Sequence, residues 1–204
     1  MARVKSGFLS GMGKAWEIFR AIVNAVLELG GSDEDLEKIL TVPGLAQQIA
    51  ELIRGAESFV QATYEVVVDY GRTLVEMIAA GKYDWVNPDI TQEHFPLAGR
   101  GEEKREQALF WFRRNISSDD AIAEMKKAGY ESEDVAGLLA FGRDNPELQR
   151  KFPIIALKSV WVGSGGRHRV PYLFRGGAER GLDLGYLVSD WRGDCRFLAR
   201  KCQK

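Results

Sequence analysis

The chain has 204 residues, a formal net charge of −1, 45% hydrophobic residues and 28% charged residues. This length and composition favour a soluble globular protein with one large domain, alone or with a helical extension. Its two cysteines and two histidines lack the spacing of a metal site, and charges interrupt the apolar stretch 8–29, which excludes a signal peptide or membrane span there. We therefore expect a cytoplasmic protein without a metal or cofactor.

The charge is unevenly distributed along the chain. Residues 1–150 carry 17 Lys and Arg against 25 Asp and Glu, whereas residues 151–204 carry 11 against 4. A basic C-terminal part is typical of proteins that contact phosphate groups or an acidic partner. The alternative is that the two parts neutralise each other within the fold, and the composition leaves both interpretations open.

The first fifty or so residues are predicted to be helical. Apolar residues recur every three or four positions over residues 8–27, which predicts a helix with one buried face. A glycine pair at Gly30 ends this helix, Ser32 caps a second one, and Pro43 begins a third. We assign residues 1–57 to a helical N-terminal region that packs or docks without chemistry of its own.

From about Tyr64 onward, short strands alternate with short helices. The valine run 66–68 predicts a buried strand over 63–70, and a second strand is expected over 107–113, for which a helix is the alternative. Residues 82–104 are expected to form a loop, in which 90–97 is an alternative strand. Capping residues and glycines predict short helices over 74–81, 117–129 and 132–141.

Beyond Pro146 the chain is predicted to form strands separated by short turns. The four apolar runs are 154–161, 167–174, 182–188 and 195–200. Their spacing is typical of a β-meander. The glycine-rich stretch 163–166 is predicted to be a hairpin turn, because a phosphate-binding loop would end in Lys-Ser or Lys-Thr and open a helix.

Patterns that suggest other functions are weak in this chain. Two neighbouring predicted helices within 117–141 have the outline of a helix-turn-helix, but acidic residues at the start of the second helix would repel phosphates. His94 and His168 have no serine or cysteine at a spacing that indicates nucleophilic catalysis. Asp183 and Asp190 are candidates for acid–base chemistry, with isolated surface acids as the commoner interpretation.

The segment 162–198 is unusual for the residue types that it lacks. Lys, Gln, Glu, Met and Trp together occur 2 times in its 37 residues, as Glu179 and Trp191, against 39 times in residues 1–161. At the upstream frequency about nine would be expected. The segment is biased instead towards Gly, Tyr, Ser, Asp and Arg, which is typical of surfaces that recognise ligands.

Several runs in this part of the chain resemble one family. FPIIALKSVW, RVPYL, LDLGY and DWRGDCRFLARK are similar to the fixed apolar frame of small bacterial proteins in which other positions vary freely. The preceding SSDDAIAEMKKAGYESEDVAGLLAFG resembles the approach to the ligand-binding part of C-type-lectin-like folds. Together the runs resemble the variable proteins of diversity-generating retroelements, over roughly residues 60–204. Adenine-directed mutagenesis of their AAC-type codons cannot yield Lys, Gln, Glu, Met or Trp, which matches the depletion.

This resemblance implies an α+β fold, with a C-type-lectin-like domain at 58–204 and a helical N-terminal extension. It also implies a non-enzymatic binding protein whose variable segment, about 162–198, presents a diversified surface to a protein or other macromolecule. Glu179 and Trp191 then belong to the fixed frame. The other expected frame residues are Trp161, Val170, Pro171, Leu173, Leu182, Leu184, Phe197 and Leu198.

The implied ligand-binding residues occupy outward positions of the variable segment. They are Ser164, His168, Tyr172, Phe174, Arg175, Tyr186, Ser189, Asp190, Arg192 and Asp194. Tyr172, Tyr186 and Arg192 are expected to dominate affinity, since truncation of such side chains often costs about 2 kcal/mol or more. This interpretation requires that these three residues and Ser189 share one open face. Calcium-dependent sugar binding is not implied, because the Glu-Pro-Asn type of ligand triplet is missing.

The alternative function is nucleic-acid binding by the same segment, because arginines and aromatic rings are what single-strand binders use. The residues are Arg167, Arg169, Arg175, Arg180, Arg192 and Arg196 with Tyr172, Phe174, Tyr186, Trp191 and Phe197, of which Trp191 and Phe197 are also core candidates. An enzymatic function ranks last. It rests on the related fold of formylglycine-generating enzymes, whose catalytic cysteines have no secure counterpart here.

Overall fold

The computed structural model of the protein describes residues 12–46, 49, 59–188 and 190–202. Contacts divide the chain into two compact units, Met1–Gly55 and Ala56–Lys204, and the boundary predicted at residues 57 and 58 lies outside the described residues. The described part of the first unit is helical, and the second unit combines helices with one large sheet. The protein therefore has a mixed α+β architecture.

The first helix ends and the second helix begins where the sequence predicts, whereas the predicted start of the first helix near residue 8 lies outside the described residues. Helix α1 spans Met12–Glu28 and is followed by Gly30, whose φ is +78°. Helix α2 spans Asp33–Thr41, and the backbone N–H of Ser32 donates to the Asp35 carboxylate at 2.8 Å. Capping by this carboxylate satisfies one backbone donor before the helix starts.

The predicted buried face of α1 is largely exposed. Trp16 and Phe19 are 62% and 51% exposed, and none of the side chains of α2 is buried. The prediction is wrong for these two aromatic residues, because periodicity identifies an apolar face but not an element that covers it. Of the third predicted helix, residues 45, 46 and 49 are helical, and residues 47, 48 and 50–55 lie outside the described ones.

The second unit contains nine strands and three helices in its described part. The strands are β1 Phe59–Asp69, β2 Trp85–Val86, β3 Glu102–Trp111, β4 Tyr130–Ser132, β5 Ile154–Ile155, β6 Trp161–Val162, β7 His168–Gly176, β8 Glu179–Tyr186 and β9 Arg196–Lys201. The helices are α3 Leu74–Gly81, α4 Ser118–Lys127 and α5 Val135–Asp144. All three predicted helices are confirmed. The side chains of Thr73, Ser117 and Asp134 cap them by accepting from backbone N–H groups three residues later.

Several strand predictions need correction. Strand β3 begins at Glu102, inside the predicted loop, whereas residues 90–97 form no strand. The predicted strand 154–161 is interrupted between β5 and β6, because the N–H of Leu157 donates to the Ser132 side chain at 2.8 Å instead of to a neighbouring strand. Strands β2 and β4 were not predicted, since two or three residues are too short to show a period.

One sheet joins the strands in the order β1-β3-β9-β5-β7-β8-β2, with β4 paired to β9 and β6 paired to β7. Neighbours are antiparallel except for the parallel pairs β5–β9 and β2–β8. Strand β9 is the last in the chain, yet it lies between β3 and β5. The first three predicted runs pair consecutively and antiparallel, as in a meander, but the fourth does not pair with β8, because the spacing of apolar runs does not reveal pairing between distant segments.

Both faces of the sheet carry a hydrophobic core. On one face, Leu198 packs with residues of α3 and α5, including Phe141. On the other face, Phe197 packs with residues of α4, including Met125. This second core ends at Val170 and Tyr172, and beyond it the same face of β7, β8 and β2 is partly open to solvent. None of the helices among the described residues has the length and apolar character needed to cross a bilayer.

Candidate ligand-binding surface

The register of the β7–β8 hairpin fixes the face on which each side chain lies. Tyr172 pairs with Asp183, and Arg169 pairs with Tyr186. Side chains alternate between the two faces of a sheet, and residues directly opposite each other share a face. Tyr172 and Asp183 therefore lie on one face of the hairpin, and Arg169 and Tyr186 lie on the other.

We call the first of these surfaces the aromatic face and define it by Trp85, Tyr172, Phe174, Asp183 and Trp191. The Phe174 ring centroid lies 5.6 Å from that of Tyr172 and 6.0 Å from that of Trp85, the second pair in an edge-to-face arrangement. Trp85 is 44% exposed, and the other two rings are half-buried. The three rings therefore form a row that is fixed on one side and accessible on the other.

Two glycines of β8 allow these rings to lie against the backbone. A Cβ atom at Gly185 would lie 2.5 Å from Cη2 of Trp191, and a Cβ atom at Gly181 would lie 2.2 Å from Cε1 of Phe174. Both distances are shorter than any van der Waals contact. The absence of a side chain at Gly181 and Gly185 is therefore what permits the aromatic rings to occupy this part of the sheet.

Asp183 lies beside Tyr172, at one end of the aromatic row. Its carboxylate accepts hydrogen bonds from the hydroxyl of Tyr172 at 3.1 Å, the side-chain amide of Asn87 at 2.7 Å and the backbone N–H of Leu184 at 2.7 Å. Burial raises the pKa of the Tyr172 hydroxyl, and the Asp183 carboxylate raises it further. Tyr172 therefore stays protonated and acts as a donor. Among the described residues, no lysine or arginine forms an ion pair with Asp183.

Hydrogen bonds connect the loop after β8 to the start of α4. The indole N–H of Trp191 donates to the Ser118 hydroxyl at 2.8 Å, and this hydroxyl donates to the carbonyl of Leu187 at 2.6 Å. Backbone hydrogen bonds of 2.9 and 3.0 Å also join Trp191 to Ile116. These contacts position Trp191 and Leu187 without the exposed side chains of the loop. Arg192 is one such exposed side chain, and it pairs with a carboxylate oxygen of Asp194 at 2.6 Å.

We call the opposite surface of the hairpin the arginine face and define it by Arg167, Arg169, Arg175 and Tyr186. The guanidinium carbons of Arg167 and Arg169 lie 5.4 and 5.1 Å from the centroid of the Tyr186 ring, and each group donates to the Tyr186 hydroxyl at 3.4 Å. The only ion pair of these arginines among the described residues joins Arg169 to Asp89 at 3.8 Å. The end of this face that holds Arg167, Arg169 and Tyr186 is therefore positively charged, whereas Arg175 lies at the other end, beyond the buried Leu173.

The predicted ligand-binding residues are divided among several places. The aromatic face holds Tyr172, Phe174 and, by register, His168, and the arginine face holds Arg175 and Tyr186. The loop after β8 holds Asp190, Arg192 and Asp194, and the exposed β6–β7 turn holds Ser164. Ser189 lies outside the described residues. The expectation that Tyr172 and Tyr186 share one open face is wrong. Tyr186 is opposite Arg169, which is three residues before Tyr172. Because side chains alternate along a strand, an odd number of residues places Tyr172 and Tyr186 on opposite sides of the sheet.

Two arginines that were predicted to meet nucleic acid are buried. Arg180 is 6% exposed and donates to the carbonyls of Gly81 and Gly142, each at 2.9 Å. Arg196 is 7% exposed, and its guanidinium carbon lies 4.1 Å from the centroid of the Trp111 ring. These side chains connect elements of the fold, so they are not available to a ligand.

The apolar frame expected from the resemblance is inward-facing, with one exception. Val170, Pro171, Leu173, Leu182, Leu184, Phe197 and Leu198 are buried, and Trp161 and Trp191 are half-buried. Glu179 was also expected to belong to the frame, but it is exposed beside the turn that joins β7 to β8. Packing therefore does not explain why this position holds a glutamate.

Sequence reasoning missed Trp85 and Asn87, which lie in the region predicted to be a loop. Trp85 pairs with Gly181 in parallel register, and the side chain of Asn87 reaches Asp183. A two-residue parallel strand has no period, and its partner lies far away in sequence. An exposed tryptophan between turn residues is the one signal that pointed to a surface role for this region.

The thiols and the possible metal ligands of the described residues are the groups that a reactive site would require. Cys195 and Cys202 are both free, and burial raises the pKa of the Cys195 thiol to about 11. A buried thiol that stays protonated at neutral pH is a poor nucleophile and a poor metal ligand. Within the part of the chain that the structure describes, no three His, Cys, Asp or Glu side chains are grouped so that they could hold a metal ion.

No family model, curated protein or solved structure matches the chain.

Proposed function

We propose that the protein is a non-enzymatic binding protein and that the aromatic face is the surface with which it recognises a protein ligand. The observation that carries this proposal is the row of rings from Trp85 through Phe174 to Tyr172, which is supported by glycine backbone and accessible to solvent. Aromatic side chains provide a large contact area with few rotatable bonds and dominate many interfaces. Packing holds these rings before a ligand arrives, so association orders few additional groups.

We also propose that the second unit is a C-type-lectin-like domain of the retroelement variable type. Support comes from the separation within 162–198 between an inward-facing frame and exposed positions on strands and loops. Changes at exposed positions leave such a core intact. Trp191, which the mutagenesis cannot produce, packs edge-to-face against Phe197 with centroids 6.3 Å apart.

A display selection tests the recognition surface. A random-peptide phage library is selected against the immobilised full chain, and the enriched clones are assayed on Trp85→Ala/Phe174→Ser and on Tyr186→Ala. We expect binding to fall about ten-fold or more in the double variant, as for loss of interface hot spots, and to be retained in Tyr186→Ala, which removes an aromatic ring from the opposite face. Circular dichroism verifies that both variants are folded. Clones that bind all three proteins equally would refute the aromatic face as the recognition surface.

The genomic neighbourhood tests the retroelement proposal independently. We expect a reverse-transcriptase gene nearby and a near-copy of the codons for residues 162–198 that differs at adenines. A neighbourhood without both features contradicts diversification but leaves the binding proposal untouched.

The arginine face makes single-stranded nucleic acid a second candidate ligand. The specific observation is the pair of guanidinium groups that converge on Tyr186. Aromatic rings and arginines together bind bases and phosphates, and such binding weakens as salt rises. An oligothymidine titration at low and high salt, with Arg167→Ala/Arg169→Ala as the variant, tests it. A lack of binding at low salt eliminates this candidate.

A further inference from the structure

Charged side chains of the β7–β8 hairpin are sorted by face. Glu179 and Asp183 have the same register parity as Tyr172 and therefore lie on the aromatic side of the sheet. The two arginines that remain exposed or half-exposed on these strands, Arg169 and Arg175, lie on the other side. The sequence mixes both charges within nineteen residues, 168–186, and the pleat separates them.

The negative charge of Asp183 is hydrogen-bonded but is not neutralised. Its three donors are a phenol, an amide and a backbone N–H, none of which carries a charge. Such donors hold the carboxylate in place beside the rings of Tyr172 and Phe174 without cancelling its field. On the neighbouring loop, the guanidinium of Arg192 is paired with Asp194, so it adds no net positive charge.

The faces of aromatic rings attract cations because their π-electrons give them a negative potential. Trp85, Phe174 and Tyr172 place three such rings within 6.0 Å of their neighbours in the row, and Asp183 adds a formal charge of the same sign. Rings and carboxylate thus favour a cation over a neutral group of the same shape. They disfavour a phosphate or carboxylate group at the same position.

We infer that the aromatic face takes a cationic side chain of its protein ligand, an arginine or a lysine, which lies against the rings with its charge directed to Asp183. This inference rests on the proposed function, since it assigns a ligand chemistry to the same surface. It also places the acidic and basic surfaces of the hairpin in different roles, with only the acidic one in contact with the basic group of the ligand.

A pair of peptides that differ only in charge tests this inference. The full chain is titrated with acetyl-Gly-Arg-Gly-amide and with the same peptide in which citrulline, which is neutral and of nearly equal shape, replaces arginine. Binding is followed by the NMR signal of the Trp85 indole N–H, identified by its absence from Trp85→Phe. We expect the arginine peptide to bind about three- to five-fold more tightly than the citrulline peptide, in the millimolar range expected for a single side chain.

Asp183→Asn is the charge-removing variant, and it preserves the hydrogen bonds. An amide oxygen can still accept from Asn87 and Leu184, and the Tyr172 hydroxyl can accept from the new amide nitrogen. We expect this variant to discriminate less between the two peptides than the wild type does, since only the rings then favour the cation. Glu65→Gln is the matched control, because it removes an exposed carboxylate from β1, the strand at the far edge of the sheet. It should retain the preference for arginine.

The outcomes separate the two proposals. Equal affinity of the wild type for both peptides, or no shift of the Trp85 signal by either, overturns the cationic ligand. If the display selection nevertheless yields clones that depend on Trp85 and Phe174, the recognition surface stands and only its ligand chemistry is wrong. A preference for arginine that is as large in Asp183→Asn as in the wild type overturns the role assigned to the carboxylate.

Discussion

Tyr172 and Asp183 face each other across the β7–β8 ladder, and the tyrosine hydroxyl donates a hydrogen bond of 3.1 Å to the carboxylate. This contact joins the aromatic row to a charged group beside it. Because the register pairs these two residues directly, the contact is part of the hairpin and forms without any rearrangement of the surrounding loops. Loss of this hydrogen bond should therefore affect both the stability of the hairpin and the position of the Tyr172 ring on the aromatic face.

Tyr172→Phe should lower the free energy of unfolding by about 1 kcal/mol at pH 7, since one hydrogen bond is lost while Asp183 keeps its other two donors. The difference should shrink at alkaline pH. The pKa of Tyr172 is raised in the folded state, so its contribution is complete below the unfolded value of about 10 and is lost as pH rises above it. Urea unfolding at pH 7 and pH 10.5 measures both effects. A difference that grows with pH contradicts the assigned shift.

Gly185→Ala should displace the Trp191 ring, because the added methyl group would lie 2.5 Å from it. We expect a loss of about 1–3 kcal/mol, as is typical of overpacking. Tryptophan fluorescence should shift to longer wavelength as the ring becomes more exposed. Gly165→Ala is the matched control, since its methyl group would lie 3.7 Å from the nearest atom in an exposed turn. Equal stability of the two variants would show that Trp191 does not depend on a glycine beneath it.

Capping residues, glycines and apolar runs in the sequence predicted the helices and strands in which they occur. Helix α4 follows a serine cap at Ser117, and α3 ends at Gly81, before Lys82 with its φ of +51°. Strands β1 and β9 were also predicted from their apolar runs, although β1 is an edge strand in which Val66 and Val68 are buried and Val67 is not. Capping and burial are properties of neighbouring residues, so they can be deduced without the rest of the fold.

The candidate site could not be deduced in this way, because it depends on distant pairing and on register. Trp85 joins the aromatic row only through β2, whose partner β8 lies almost a hundred residues later. The two-residue loop after Gly176 sets which residues of β7 and β8 are opposite each other, and this register decides the faces of Tyr172 and Tyr186. One additional loop residue would have moved every side chain of β8 to the other face relative to those of β7. The sequence shows which side chains alternate, but not which positions are opposite each other.

The two cysteines should differ in their reaction with a disulfide reagent such as DTNB. Cys202 is exposed, whereas Cys195 is 8% exposed and burial raises its thiol pKa to about 11. Because only the thiolate reacts, we expect one rapid equivalent at pH 7.5 and a second that appears only on unfolding. Cys202→Ser should abolish the rapid phase, and Cys195→Ser should leave it unchanged. A rapid phase that survives in Cys202→Ser would contradict the burial of Cys195.

Arg105 is the centre of a buried ion network on the sheet. It is 5% exposed, and it donates to Glu133 at 2.7 Å, to Glu103 at 2.8 Å and to the Tyr70 hydroxyl at 2.6 Å. Glu133 is itself fully buried. Arg105→Met leaves that carboxylate without its cation, so we expect a loss of about 3–5 kcal/mol at neutral pH.

The deficit of Arg105→Met should become smaller as the pH falls from 8 towards 5. Burial raises the pKa of Glu133 and Arg105 lowers it, so removal of the arginine raises it further. A raised carboxyl pKa favours the folded state at low pH, and this contribution is lost as pH rises through the folded value. Glu103 does not add to this change between pH 8 and pH 5: the hydrogen bond to Arg105 lowers its pKa, so the stability that this bond gives the wild type is lost only below the unfolded value of about 4.5.

Urea unfolding of the wild type and Arg105→Met at pH 5 and pH 8 measures this change, with Arg105→Lys as a milder variant that retains a charge. Arg72→Met is the control, because Arg72 forms an exposed ion pair with Asp69 at 3.1 Å and should contribute about 1 kcal/mol or less at either pH. A deficit for Arg105→Met that is constant or larger at pH 5 would mean that Glu133 is not the group left uncompensated. The pH dependence therefore distinguishes loss of the cation from simple loss of packing, which would not titrate.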